Sequence, residues 1–249
     1  MRQEKRVALW KSLLWGICIL LFPILSGTLS AVFSLETVET LLLQGNFMLF
    51  SLLIPLVFVL TKKWSWSGIG FAKIDVSACK KVLYFLPLLA VFLPAAGKGF
   101  QMESAAYGLG NLYLYFMVGL AEEVYFRGVI PRYLNKAFSR KGVILLSTVI
   151  FGIGHMAAAF TASSGLEIFL TVLNAFIFGW LAMEMTVISQ NIMPAVLLHF
   201  LFDFETKIVV MQGRELLTAE CVRGVIMAAG AVWLTIAAKN KTDGSFVTE

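Results

Sequence analysis

The sequence predicts an all-α fold: a polytopic membrane helical bundle of about eight transmembrane helices. Three observations predict it. Of 249 residues, 59% are hydrophobic and 14% charged, against roughly 45–50% apolar and 25% charged in a soluble domain. The mean hydropathy is +0.84, and the apolar residues fall in runs near the ~20 residues that cross a hydrocarbon layer. Between the runs stand short basic segments, with no repeat at a fixed period and no low-complexity tract. Residues 1–249 therefore read as a single integral-membrane domain, with the polar motifs gathered in about 109–211.

The N-terminus carries Arg2, Lys5 and Arg6 and leads into an apolar run at 7–33. That run exceeds the ~7–15 residues of a cleavable signal core, so it reads as a retained first span, tilted or kinked at Pro23. The second span is 41–60. A polar segment at 61–81 holds Lys62, Lys63, Lys73, Lys80 and Lys81, with Trp64 and Trp66 at interface positions and room for a short surface helix. The third span, 82–96, is short and contains Pro87 and Pro94. A loop at 97–108 precedes the fourth, 109–130. A basic connector (Arg132, Lys136, Arg140, Lys141) leads to the fifth, 142–160. A polar hinge at 161–165 opens the sixth, 166–187; a turn at 188–191 opens the seventh, 192–211; the eighth is 221–238, and a polar tail closes the chain at 239–249.

Eight crossings put both termini on one side, and the basic residues are distributed accordingly. Of the 20 Lys and Arg, 15 fall on the side of the termini, Lys98, Lys207, Arg214 and Arg223 on the other, and Arg127 inside the membrane. By the positive-inside rule the protein is multi-pass in the cell membrane with both termini cytoplasmic. The net charge of +5 and pI near 9.1 form no patch or stripe, so the expected large partner is the lipid bilayer and no nucleic acid. Cys18, Cys79 and Cys221 are odd in number and lack metal-ligand spacing. Cys79, beside Lys80 and Lys81, is a site for acylation at most, and an ordinary thiol on the plainer reading.

Glu122, Glu123 and Arg127 lie in the otherwise uncharged run 112–130, where an ionisable group is costly unless paired or facing water. Residues four apart share a helix face, so Glu123 and Arg127 can pair, while Glu122 points about 100° away and lacks a local partner. Desolvation and a like-charged neighbour tune such a carboxylate toward general-base work near neutral pH. On the plainer reading the three groups simply join spans by polar contacts. The chain's two histidines, however, also lie inside spans. Phe151 stands one turn before His155, with Gly152 and Gly154 permitting close helix approach; His199 and Asp203 share a face at four-residue spacing. Helical rise puts Glu122 and His199 roughly 10 Å, and His155 roughly 20 Å, from the cytoplasmic ends of their spans. A shared cavity open to the cytoplasm fits those depths.

In this order on three spans, Glu122-Glu123-x-x-x-Arg127, Phe151-x-x-x-His155 and His199-x-x-x-Asp203 resemble the CAAX protease and bacteriocin-processing family, the Rce1-like or Abi intramembrane glutamate proteases. Phe176-Ile177-Phe178-Gly179 and the lead-in at 189–194 share the likeness, which covers about 119–204. The resemblance implies a metal-independent endopeptidase without cofactor, whose partner is a membrane-associated peptide or a lipidated protein tail: a prenylated C-terminus, or a leader or pheromone peptide. It further implies that Glu122 activates a water shared with His155, that His199 and Asp203 stabilise the oxyanion, and that Glu123, Arg127 and Phe151 shape the site. Asp203 stands where such proteins often carry asparagine, and an ionised carboxylate cannot donate; it is either protonated or orients His199.

Three other readings compete. A zinc site could use Glu122, His155 and His199. Against it, His155 has only glycines and apolar residues nearby to fix its tautomer, and Arg127 repels a divalent ion. The same fold could serve as a non-enzymatic immunity or regulatory scaffold. A proton-coupled transporter would also bury Glu, Arg and His, but the chain shows no half-to-half symmetry.

Overall fold

The computed structural model describes residues 2–72, 83–160 and 164–239. Cys79, the Lys73–Lys81 part of the expected surface helix, most of the hinge and the last ten residues lie outside the described residues. The first span is helix α1 (Arg2–Val32), which runs through Pro23 without a break. Its Ser12, Thr28 and Ser30 hydroxyls donate to carbonyls four residues back, so no hydroxyl is left unsatisfied against lipid. The second span, Thr37–Leu60, divides into α2 (Thr37–Ser51) and α3 (Leu53–Leu60). Pro55 has no N–H for the Ser51 carbonyl; that carbonyl instead accepts the Tyr125 hydroxyl at 2.9 Å.

The expected third span is a 13-residue 3-10 segment, Leu83–Ala95. At about 2.0 Å per residue it reaches about 26 Å, against about 20 Å as an α-helix, so the tighter winding makes a short stretch nearly span. The fourth begins as α4 (Ala105–Glu123), capped where Ser104 Oγ accepts from Tyr107 N at 3.0 Å. It widens into a π-helical turn, Val124–Val129, and continues as α5 (Ile130–Leu134). The wide turn lies directly ahead of Pro131, which cannot donate to the Arg127 carbonyl. Then come α6 (Arg140–Gly154) with a 3-10 extension, His155–Phe160, α7 (Gly165–Ser189), α8 (Met193–Ile208) and α9 (Gly213–Lys239).

Five of these segments, α1, Thr37–Leu60, Arg140–Ala157, α7 and α9, are long and apolar enough to cross a membrane. The other three, Leu83–Ala95, α4–α5 and α8, are the third, fourth and seventh spans of the sequence. The last two carry the charged motifs, and α8 is only 16 residues long. Among the described residues the only strand-like pairing is two isolated antiparallel bridges, Phe71–Asn191 and Phe100–Val209. The fold is an all-α membrane bundle.

Packing brings the motif helices together. α4 lies against α2 and α8, α6 against α7, and α7 against α9. A Cβ on Gly119 would stand 3.1 Å from Phe200 N and 3.2 Å from Val196 O, so glycine lets α4 and α8 approach backbone to backbone. Basic residues gather at one end of the bundle: Lys11 and Lys136 over Tyr133, Arg132 over Trp64, and Lys5 over Phe138. The N-terminus of α1 is at this end. The opposite end carries the Lys98–Glu215 ion pair and the Phe100–Val209 bridge. Arg223, counted with the basic residues of that end and lying at the start of the expected eighth span, is fully buried.

Candidate active site

The expected Glu123–Arg127 pair forms, with Arg127 Nη1 3.0 Å from Glu123 Oε1 and both side chains buried. The guanidinium lies 4.2 Å from the Phe151 ring centroid and 5.6 Å from that of Phe178, and Nη2 donates to the Gly179 carbonyl at 3.5 Å. Glu123 also has a partner that helix periodicity could not reveal: His199 Nδ1 sits 2.9 Å from the same Oε1, 76 residues along the chain. Glu123 thus joins α4 to α8 as well as neutralising Arg127.

Glu122 faces away from the pair, as its position on the helix requires. Its Oε2 lies 3.9 Å from His199 Nε2, and its side chain is 17% exposed. That oxygen is itself buried and accepts no hydrogen bond from the described residues. Asp203 Oδ2 approaches the same Nε2 at 3.5 Å, with its side chain 28% exposed. His199 therefore has Glu123 on one ring nitrogen and Glu122 and Asp203 on the other.

His155 caps α6 and turns into the 3-10 extension. Its Nδ1 lies 3.0 Å from the Phe151 carbonyl oxygen, and its ring lies against Phe151 at 4.5 Å between centroids, tilted by 48°. Phe151 and Phe178 in turn contact His199, at 6.0 and 4.8 Å. Phe151 thus touches both imidazoles, Phe178 touches His199, and both rings also face the Arg127 guanidinium. The expectation that His155 lacks a partner to fix its tautomer is corrected: the Phe151 carbonyl fills that role for His155 and Glu123 fills it for His199, because the i−4 carbonyl and a distant carboxylate both lie outside what flanking side chains reveal. Among the described residues no three His, Cys, Asp or Glu side chains group so as to hold a metal ion.

A cavity of about 440 Å³ reaches the site, lined at its inner end by Tyr115, Phe151, His155, Phe178, His199 and Asp203. Glu122 is not in its lining and meets the site through His199. The outer lining comprises Glu167 and Thr171 from the first turns of α7, Thr206 and Lys207 from the last turn of α8, and Leu216, Leu217 and Glu220 from the start of α9. All these helix ends lie on the face away from the basic cluster. The cavity therefore opens opposite the end that holds the N-terminus of α1, which corrects the expectation of an opening on that side. The physical reason is a plug the sequence did not reveal. The segment around Gly70 pairs with the α7–α8 turn: Ile192 N donates to Gly70 O, and Asn191 Nδ2 to Ala72 O, each at 2.9 Å. Gly128 lies flush against this segment, since a Cβ there would stand 2.3 Å from Ile69 O.

The outer half of the cavity has a polar wall that motif reading missed. Arg223 donates to both oxygens of Glu205 and, at 2.9 Å, to Glu220. Asn174 Nδ2 donates to the Glu220 carboxylate and carbonyl at 2.9 and 3.1 Å. These contacts tie α7, α8 and α9 together around the opening. The available signal was the Glu220/Arg223 spacing in an apolar helix, three residues apart on one face.

Residues 105–204 match the model of the family described as type II CAAX prenyl endopeptidase Rce1-like. The match begins at the first residue of α4 and contains every candidate site residue. No curated protein matches the chain.

Proposed function

From the Rce1-like character of the stretch 105–204, which carries the whole candidate site, we propose that this protein is a metal-independent intramembrane endopeptidase of the glutamate type. One observation carries the reading: Glu122 holds a buried carboxylate oxygen, without a hydrogen bond from the described residues, beside an imidazole whose Nδ1 is already engaged. Glu123 also has a buried oxygen without a hydrogen bond among the described residues, but its other oxygen is paired with Arg127; Glu122 has no such guanidinium partner among the described residues and its side chain is 17% exposed, which suits a carboxylate that receives a proton during reaction.

In the proposed reaction a water bound between Glu122 and His155 loses one proton to Glu122, and its oxygen adds to the scissile carbonyl carbon. His155, with Nδ1–H donated to the Phe151 carbonyl, keeps a lone pair on Nε2 and accepts the water's second hydrogen as a hydrogen bond, fixing the angle of attack. His199, as an imidazolium whose Nδ1–H is held by Glu123, donates Nε2–H to the developing oxyanion. The proton on Glu122 then passes to the amide nitrogen, the C–N bond breaks, and an amine leaves together with a carboxylic acid that keeps the water's second hydrogen. Asp203, partly open to the cavity and 3.5 Å from Nε2, orients the His199 ring. Both termini are assigned to the cytoplasm by the charge asymmetry. The substrate is a membrane-associated peptide or protein tail.

The test is cleavage of a membrane-associated reporter peptide by purified protein. Glu122→Gln is expected to lower the rate by about 10²–10⁴-fold, the usual contribution of a positioned base, at unchanged thermal stability. Wild-type turnover by Glu122→Gln would remove Glu122 from the reaction.

A further inference from the structure

We infer that the site is served from the outer, non-cytoplasmic face of the membrane, so that its substrates are apolar segments of secreted or membrane-spanning peptides presented there, and not tails held in the cytoplasm. The inference rests on the proteolytic reading above and adds the side from which the substrate comes. Two independent observations meet in it. The basic residues cluster with the N-terminus of α1 at one end of the bundle, and positive charge marks the cytoplasmic side. The cavity that reaches His155, His199 and Asp203 is lined at its outer end only by the other ends of α7, α8 and α9.

The inner end has no comparable route. His199 is only six residues into α8, about 9 Å by helical rise, yet the chain between it and the basic face is packed shut. Ile192 is fully buried, and both its N–H and the Asn191 side chain are bonded to the segment at Gly70 and Ala72. Val129 and Ile130 of the fourth span are likewise fully buried. Opening that end would break those hydrogen bonds and expose these side chains; the outer end needs no change.

The lining sets the chemical class. Leu170, Phe178, Phe202, Leu216 and Met227 supply the apolar part of the walls, while Glu167, Lys207 and Glu220, the last bonded to Asn174, make the rim at the opening polar. At about 440 Å³, the space lies within the ~300–1,000 Å³ of pockets that take a small-molecule-sized ligand. It admits a few residues of extended chain and excludes a folded domain.

Sidedness can be measured without turnover. In a variant with Cys18, Cys79 and Cys221 replaced by alanine, single cysteines are placed at Leu217, Thr171 or Lys136, and intact cells are treated with a membrane-impermeant maleimide. Leu217→Cys and Thr171→Cys are expected to label without permeabilisation, and Lys136→Cys only after it. Labelling of both cavity positions only after permeabilisation would overturn the inference, as would labelling of Lys136→Cys from outside. The second arm measures cleavage by Leu217→Cys protein before and after labelling. A loss of at least tenfold on labelling is expected, and retention of the full rate would show that the substrate does not enter here. An absence of cleavage by the unmodified protein would refute the proteolytic reading while leaving the labelling result intact, so the two failures are distinct.

Discussion

Glu123 is the residue on which stability and site geometry should converge, and a double-mutant cycle with Arg127 measures how much. One carboxylate oxygen serves Arg127 Nη1 at 3.0 Å and His199 Nδ1 at 2.9 Å, with all three side chains buried. Glu123→Gln keeps the shape and removes the charge, leaving the guanidinium with only Gly179 O and two aromatic faces. Removing one partner of a buried ion pair costs about 3–5 kcal/mol. At roughly 2–4 °C per kcal/mol for a chain of this size, the melting temperature in detergent should fall by about 6–20 °C. Arg127→Met should destabilise by a similar amount, because Glu123 then keeps only His199. In the double variant neither charge remains, and losing a whole buried pair is far less damaging than losing half. The coupling between the two sites should therefore be about 3 kcal/mol, the upper end for contacting residues. Cleavage should stay low in the double variant, because His199 has lost its anionic partner. Strict additivity of the two single effects would refute the pairing, and full cleavage by a stable double variant would refute the role given to Glu123 in holding His199.

Other outcomes follow from the same geometry. Asp203→Asn should retain cleavage, since asparagine can still bond the His199 ring and can also donate, whereas Asp203→Ala should lose about 10²-fold by misplacing the imidazole; steady-state rates on one peptide check both. Activity should be unchanged by a strong chelator, with less than stoichiometric zinc by elemental analysis; loss on stripping and recovery on adding zinc back would hand the site to a metal. Gly128→Ala should destabilise by about 1–3 kcal/mol, because its Cβ would meet the Ile69 carbonyl at 2.3 Å and push away the segment packed at the end that holds the N-terminus of α1. Thermal melts check this, and a variant as stable as wild type would show that the plug moves freely.

The class of fold and the polar residues at its centre were legible in the residues alone. Long apolar runs have one solution in a bilayer, helices that satisfy their own backbones, and against such runs each Glu, Arg and His stands out because lipid makes it expensive. The Glu123–Arg127 pair was legible for the same local reason, being four residues apart on one helix. The remaining features lie between helices. Helical period says which face a side chain is on and not which helix that face meets, so the Glu123–His199 bond and the Arg223 network with Glu205, Glu220 and Asn174 were out of reach. Depth counted by rise set His155 apart from Glu122 and His199, whereas the turn at the end of α6 and the shared contact with Phe151 place it beside His199. The direction of the opening was least legible of all. It depends on a hydrogen-bonded plug between the segment at Gly70 and the turn at Asn191, more than a hundred residues apart, held where Gly128 lets the fourth span lie against the Ile69 carbonyl.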